Sequence, residues 1–138
     1  MKAKAYLRQY EDAERRVKLL CKEYEEEELM IDAIKSTTDF DGMPRGKSNG
    51  RNTVLDKVIR LEKKHNKLLE AKAEAVEIRQ RVFNTIYKVQ GEEQAVLIKR
   101  YIDLKRWEEI AVEMNFGWSG IHKLHRRALA SVQEIIGA

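Results

Sequence analysis

Apolar side chains recur along this chain in steps of three and four and nowhere in a sustained alternation of two, so the pattern predicts an all-α protein. Tyr6, Tyr10, Ala13, Val17, Leu20 and Tyr24 form one stripe on a long helix from residue 2 to about residue 35. The stripe meets Glu25, Glu26, Glu27 and Glu28 and resumes at Ile31 and Ile34, which reads as a solvated acidic face with a local stutter. Ser36, Thr37, Thr38 and Asp39 close this helix, and Gly42, Pro44, Gly46 and Gly50 mark residues 36–50 as a flexible loop. A second helix from about Thr53 to Val89 carries Val54, Val58, Leu61, His65, Leu68, Ala75, Val82, Ile86 and Val89, with Lys72 and Arg79 interrupting the stripe. Two helices of similar length joined by one loop pack as an antiparallel hairpin, each about 50 Å long at 1.5 Å per residue. So narrow a hairpin leaves stripe residues exposed, which predicts a homo-oligomer assembled through residues 1–90.

Residues 91–138 carry a different, shorter pattern. Gln90-Gly91 ends the second helix, and Glu92-Glu93 puts negative charge where the next helix dipole favours it. That helix, about Glu92 to Leu104, is expected to bury Ala95, Val96, Leu97, Tyr101 and Leu104. Trp107, Ile110, Ala111 and Met114 then line the inner face of a short helix, with Ala111 small where a following helix must cross it closely. Asn115-Phe116-Gly117-Trp118 breaks the pattern, with Phe116 plugging the turn. In the last helix Ile121, Leu124, Ala128, Val132 and Ile135 face inward, while Ser119, His122, Lys123 and Arg126 face outward and Arg127 lies at the edge. Two helices across a tight turn, the second basic on its outer face, is how a helix-turn-helix places side chains in the major groove of duplex DNA. The recognition helix would span about residues 118–136.

Charge distribution sharpens this reading more than total charge does. The net charge is +4, and 36% of residues are charged. Residues 1–35 hold 8 Lys/Arg against 9 Asp/Glu, residues 51–90 hold 10 against 5, and residues 91–138 balance at 7 and 7. Yet Gly117 to Gln133 contains Lys123, Arg126 and Arg127 with no acid, a local basic face able to hold phosphate. The single Cys21 excludes an internal disulfide framework and suits a reducing cytoplasm. Met1 to Tyr6 leads into a charged helix rather than an apolar signal segment, and no apolar run approaches the roughly 20 residues that cross a bilayer. These features predict a soluble intracellular protein without membrane contact.

Catalytic and cofactor chemistry find little support. Gly46-Lys47-Ser48 matches the end of a phosphate-binding loop, but Asp41 stands where the first glycine belongs and no strand precedes it. His65 has no Cys, His or paired carboxylate at ligand spacing. No nucleophile–base pair can be assembled from three His and one Cys, so no enzyme, no cofactor and no metal are expected.

Leu97-Ile98-Lys99-Arg100-Tyr101, Trp107-Glu108-Glu109-Ile110-Ala111 and the run from Ile121 to Leu129 resemble region four of bacterial sigma factors. With Gly42-Met43-Pro44 in its loop, the chain also resembles small prophage transcriptional regulators of Gram-positive bacteria, the ArpU- and RinA-like group. The resemblance implies binding of promoter DNA, regulation of phage or prophage genes, contact with bacterial RNA polymerase and a nucleoid-associated place in a bacterial cytoplasm. It also implies that Arg100 meets a phosphate and that Trp118, Ser119, His122 and Lys123 approach base edges. Two positions depart from that pattern: Gly117 replaces the usual Ser or Thr cap, and Gly120 replaces a polar contact residue at a cost of about 1 kcal/mol in helix propensity. Two other readings stand beside this one: a phage DNA-packaging subunit of the small-terminase kind, which usually places its DNA-binding part first, and a helical protein-interaction module without DNA binding. In domain terms, residues 1–90 form the hairpin and residues 91–138 the DNA-binding unit.

Overall fold

The computed structural model describes the backbone of residues 1–41 and 48–137 and the side chains of residues 1–34 and 54–137. Among the described residues the protein is all-helical, with α1 (Ala3–Leu7), α2 (Gln9–Asp41), α3 (Ser48–Tyr87) and α4 (Glu92–Leu97). A π-helical turn (Ile98–Ile102), α5 (Trp107–Met114) and α6 (Trp118–Ile136) follow. No helix among the described residues is long and apolar enough to cross a membrane. The loop expected at residues 36–50 is shorter than its composition suggested, because α2 continues to residue 41 and α3 begins at Ser48. Residues 42–47, including Gly42-Met43-Pro44, lie outside the described residues.

The chain forms two compact units, and they do not meet at residue 90. One combines Met1–Glu14 with Glu74–Ala138, and the other is Arg15–Ala73. The reason is burial. Ala3 and Leu7 of α1 and Ile78, Val82, Ile86 and Val89 at the end of α3 share one apolar cluster with Val96, Leu97, Ile110, Ile121, Leu124 and Val132. A 48-residue piece has too high a surface-to-volume ratio to close such a core alone, and the flanking helices complete it.

Within this first unit, Leu7 is fully buried beside the half-buried Tyr6 and Tyr10, so the inner face of α1 is broader than the expected stripe. Gln133 Oε1 accepts the Ala3 N–H at 2.8 Å, capping α1 from α6. Tyr6 Oη and Thr85 Oγ1 share a hydrogen bond of 2.9 Å. Gly91 takes φ +71° and ψ −143°, a conformation open essentially to glycine, and so turns the chain from α3 into α4. Gln94 closes the same corner by donating to the carbonyls of Tyr87 at 3.1 Å and Val89 at 2.8 Å, which α3 leaves unpaired at its end.

The helix expected from Glu92 to Leu104 is interrupted. After Leu97 the hydrogen bonds span five residues instead of four, Asp103 N–H reaching Ile98 O at 2.9 Å, and Leu104 enters the left-handed region at φ +57°. This wider turn buries Ile102 as well as Tyr101 and leaves Leu104 half-buried.

Most of the expected α3 stripe is seen, with Val54 and Leu61 half-buried in the second unit and Leu68, Ala75, Val82, Ile86 and Val89 buried. Leu68 and Ala71 face inward, and in the first unit Ala75, Ile78 and Val82 continue the same stripe, so Lys72 and Arg79 are exposed neighbours rather than interruptions. Val58 and His65 fall at its exposed edge, His65 with its ring 5.3 Å from Tyr24. The acidic run also differs from expectation. Glu25, Glu26 and Glu28 are exposed, but Glu27 occupies the stripe position between Tyr24 and Ile31, so no stutter is needed. Its carboxylate lies 3.8 Å from Arg60 Nη1 and 3.6 Å from Lys64 Nζ.

Candidate nucleic-acid interface

The two C-terminal helices are joined by a turn that sequence and backbone both specify. Glu108 and Glu109 occupy the first turn of α5, where the dipole favours them. Past its end, Asn115 adopts φ +57° and ψ 41°, a left-handed conformation that asparagine tolerates well. Phe116 N–H donates back to Ala111 O at 2.9 Å and Asn115 N–H to Val112 O at 3.3 Å, the paired bonds of a Schellman motif. Phe116 folds onto the core, and a Cβ at Gly120 would stand 3.2 Å from its Cδ1. Glycine at 120 thus trades helix propensity for close packing of the plug. Gly117 is extended and accepts the Ile121 N–H at 3.0 Å, but it has no side chain with which to cap α6.

Ile121, Leu124, His125, Ala128 and Val132 form the buried face of α6. Ser119, Lys123, Arg126 and Arg127 are exposed, and His122 is half-buried. Among the described residues no carboxylate lies within ion-pair distance of Lys123, Arg126 or Arg127. Three cations around α5 are instead engaged in ion pairs. Lys99 and Lys105 reach Glu113 at 2.9 and 2.6 Å, and Arg106 reaches Glu109 at 3.3 Å. Hydrogen bonds from Lys105 and Lys99 hold the Glu113 carboxyl below its usual range. Lys123, Arg126 and Arg127 on α6 are thus free of ion pairs among the described residues, as is Arg100, whereas Lys99, Lys105 and Arg106 are paired.

Aromatic rings fix the outward side chains near the turn. His122 lies between two indoles, with ring centres 5.1 Å from Trp107 and 4.5 Å from Trp118. Trp118 meets it edge-on and keeps 58% of its surface exposed. Arg100 lies over the Trp107 ring, its guanidinium 5.2 Å from the ring centre, while Nη1 donates to Lys105 O at 2.9 Å. Arg100 thus also holds the backbone of the irregular turn in shape. Trp118, Ser119, His122, Lys123 and Arg126 come together on one face of α6, with Arg127 beside them; Arg100 is not on α6 and meets this group through the Trp107 ring.

His125 is the residue that sequence reasoning left without a role. It belongs to the buried series Ile121, His125, Ala128 and Val132, whose steps of four and three were available in the sequence. Nε2 lies 2.7 Å from Tyr101 Oη, and the ring packs edge-on to Trp107 at 4.5 Å. Burial lowers the His125 pKa to about 4, helped by the fields of Lys4, His122, Arg100 and Arg126. Burial likewise raises Tyr101 to about 12. Both groups are neutral at neutral pH, and their hydrogen bond satisfies two polar groups inside the core. It ties the π-helical turn to the middle of α6.

The arrangement offers hydroxyl, imidazole, ammonium and guanidinium donors from one rigid helix, a set matched to phosphate oxygens and to the acceptor edges of purines. The chain matches no protein-family model, no curated protein and no solved structure.

Proposed function

We propose that α5, the Asn115–Gly117 turn and α6 form a helix-turn-helix that binds duplex DNA, with the N-terminal half of α6 in the major groove. The observation that carries this reading is the acid-free face of α6, where Lys123 and Arg126 have no ion-pair partner among the described residues while Lys99, Lys105 and Arg106 around α5 are paired. A merely solvated helix has no need to exclude acids from one face over sixteen residues, whereas a phosphate-binding face does. Ser119, His122 and Lys123 would approach base edges, Trp118 the groove wall, and Arg126, Arg127 and Arg100 phosphates.

The proposed output is regulation of transcription, of phage or prophage genes, in contact with RNA polymerase; it rests on the resemblance of the Leu97–Leu129 segment to sigma region four. The remainder of α2 and α3 is proposed to form an antiparallel hairpin that pairs copies of the protein. In its support, Tyr24 meets His65 whereas Glu27 meets Arg60 and Lys64, partner numbers falling as the α2 number rises. Selection from a random duplex pool tests the reading. One enriched sequence is expected, and a promoter reporter carrying it should respond to the protein; a pool that stays random, or a reporter that does not respond, would reject the corresponding half.

A further inference from the structure

The outward face of α6 does not end at Arg126. One turn further on, Ala130 and Gln133 continue it, and there α1 crosses the helix, with Ala3 and Leu7 buried and the Ala3 N–H bonded to Gln133. Lys2 and Lys4 border a shallow groove against Leu129, Ala130 and Gln133. Both lysines are exposed, and neither has a carboxylate partner among the described residues. The positive charge of Lys4 is felt at His125, next to Arg126. Residues more than a hundred positions apart in the chain thus prolong one basic strip through Lys123, Arg126, Lys4 and Lys2.

Dimensions say what the prolonged strip would meet. Ala130 lies about 16 Å along the helix axis from Ser119 at 1.5 Å per residue. The major groove is only about 12 Å wide. With the start of α6 in the groove, the level of Ala130 stands over the sugar–phosphate backbone that bounds it. Extended lysines there would meet phosphates and no base edges.

We infer that Lys2 and Lys4 form a second, sequence-independent phosphate contact of the DNA interface, brought to the rim of the groove by the docking of α1 on α6. This rests on the DNA-binding reading above. The contact would set the register of α6 on the duplex, so that an N-terminal segment far from the turn contributes affinity without specificity.

Lys2→Gln with Lys4→Gln removes both charges and keeps a polar, unbranched side chain. Fluorescence anisotropy with a selected duplex and with an unrelated duplex, over a range of salt, reads the outcome. Each lost phosphate contact lowers the slope of log K against log salt by about 0.9, so a decrease of roughly 1.8 is expected, with affinity at 0.1 M salt lower by on the order of ten- to sixty-fold. The loss should be equal for both duplexes, and Lys2→Arg with Lys4→Arg should bind as the unsubstituted protein does, which separates charge from any local disturbance of α1. Lys18→Gln with Lys22→Gln, in the other compact unit, removes the same net charge and should change the slope little. An unchanged slope, a loss matched by the Lys18/Lys22 variant, or failure of the arginine variant would overturn the inference. If the unsubstituted protein binds neither duplex, the DNA-binding reading itself fails, a distinct result.

Discussion

Acidification from pH 7 to pH 5 should destabilise the protein through His125. The ring is held at a pKa of about 4 in the folded protein, against 6.5 for a free side chain. As pH falls, the unfolded chain therefore takes up the proton first. Stability from the neutral ring is fully present above pH 6.5 and drains away as pH falls toward 4. A full shift would remove about 2 kcal/mol between pH 7 and pH 5, at 1.36 kcal/mol per pKa unit. Solvent screening of the surrounding exposed cations and local relaxation reduce this to about 1 kcal/mol. Urea unfolding followed by circular dichroism at the two pH values measures it, as a lower midpoint at constant slope. The control is Tyr101→Phe with His125→Phe. Replacing both partners leaves no buried group unsatisfied and should remove this pH dependence. Parallel pH dependence in the two proteins would refute the buried, neutral His125–Tyr101 pair.

Gly91→Ala should cost about 1–3 kcal/mol, because φ +71° with ψ −143° strains any residue with a Cβ; thermal melts would show a lower midpoint. Gly117→Ser should instead stabilise by about 0.5–1 kcal/mol, since residue 117 is already extended, its Cβ meets nothing within 4 Å, and a hydroxyl can cap α6. Gln94→Ala leaves the carbonyls of Tyr87 and Val89 short of a donor and should lower stability by about 1–2 kcal/mol in the same melts. A fragment of residues 91–138 should show little helix by circular dichroism. It loses Ala3, Leu7, Ile78, Val82, Ile86 and Val89 from its core, and the larger of these contribute about 1.5–3 kcal/mol each; a helical, cooperatively melting fragment would contradict the shared core.

The helices that carry the candidate site were legible because their period is strong and their punctuation is local. Trp107 to Met114, the Asn115 stop, the Phe116 plug and the inner stripe of α6 all follow from side-chain spacing and turn chemistry. The wider turn at Ile98–Ile102 was not legible, because Leu97 to Leu104 has the composition of an ordinary helix and nothing local marks Leu104 for φ +57°. What sets that turn is tertiary: Tyr101 reaching His125, and Arg100 holding the Lys105 carbonyl. In α3 the seven-residue spacing of Leu61, Leu68, Ala75 and Val82 was legible, but two positions between them were not: Ala71 and Ile78 stand beside Lys72 and Arg79, and only the packed partner decides which of two adjacent positions turns inward. Gly120 looked like a defect in α6 until Phe116 stood against it. The grouping of Met1–Glu14 with the C-terminal helices was likewise invisible, since no periodicity shows which stripe α1 will cover.

The most direct test of the central claim is the salt dependence of duplex DNA binding in the Lys123→Ala, Arg126→Ala protein, beside the unsubstituted protein. Both side chains are exposed on α6, so the variant should stay folded, with an unchanged thermal midpoint. The account predicts tight binding by the unsubstituted protein that weakens steeply with salt, and in the variant a slope smaller by roughly 0.9 for the lost Arg126 phosphate contact, with affinity reduced at least about tenfold at 0.1 M salt once the Lys123 base contact is lost too. Equal affinity and equal slope in the two folded proteins would contradict it.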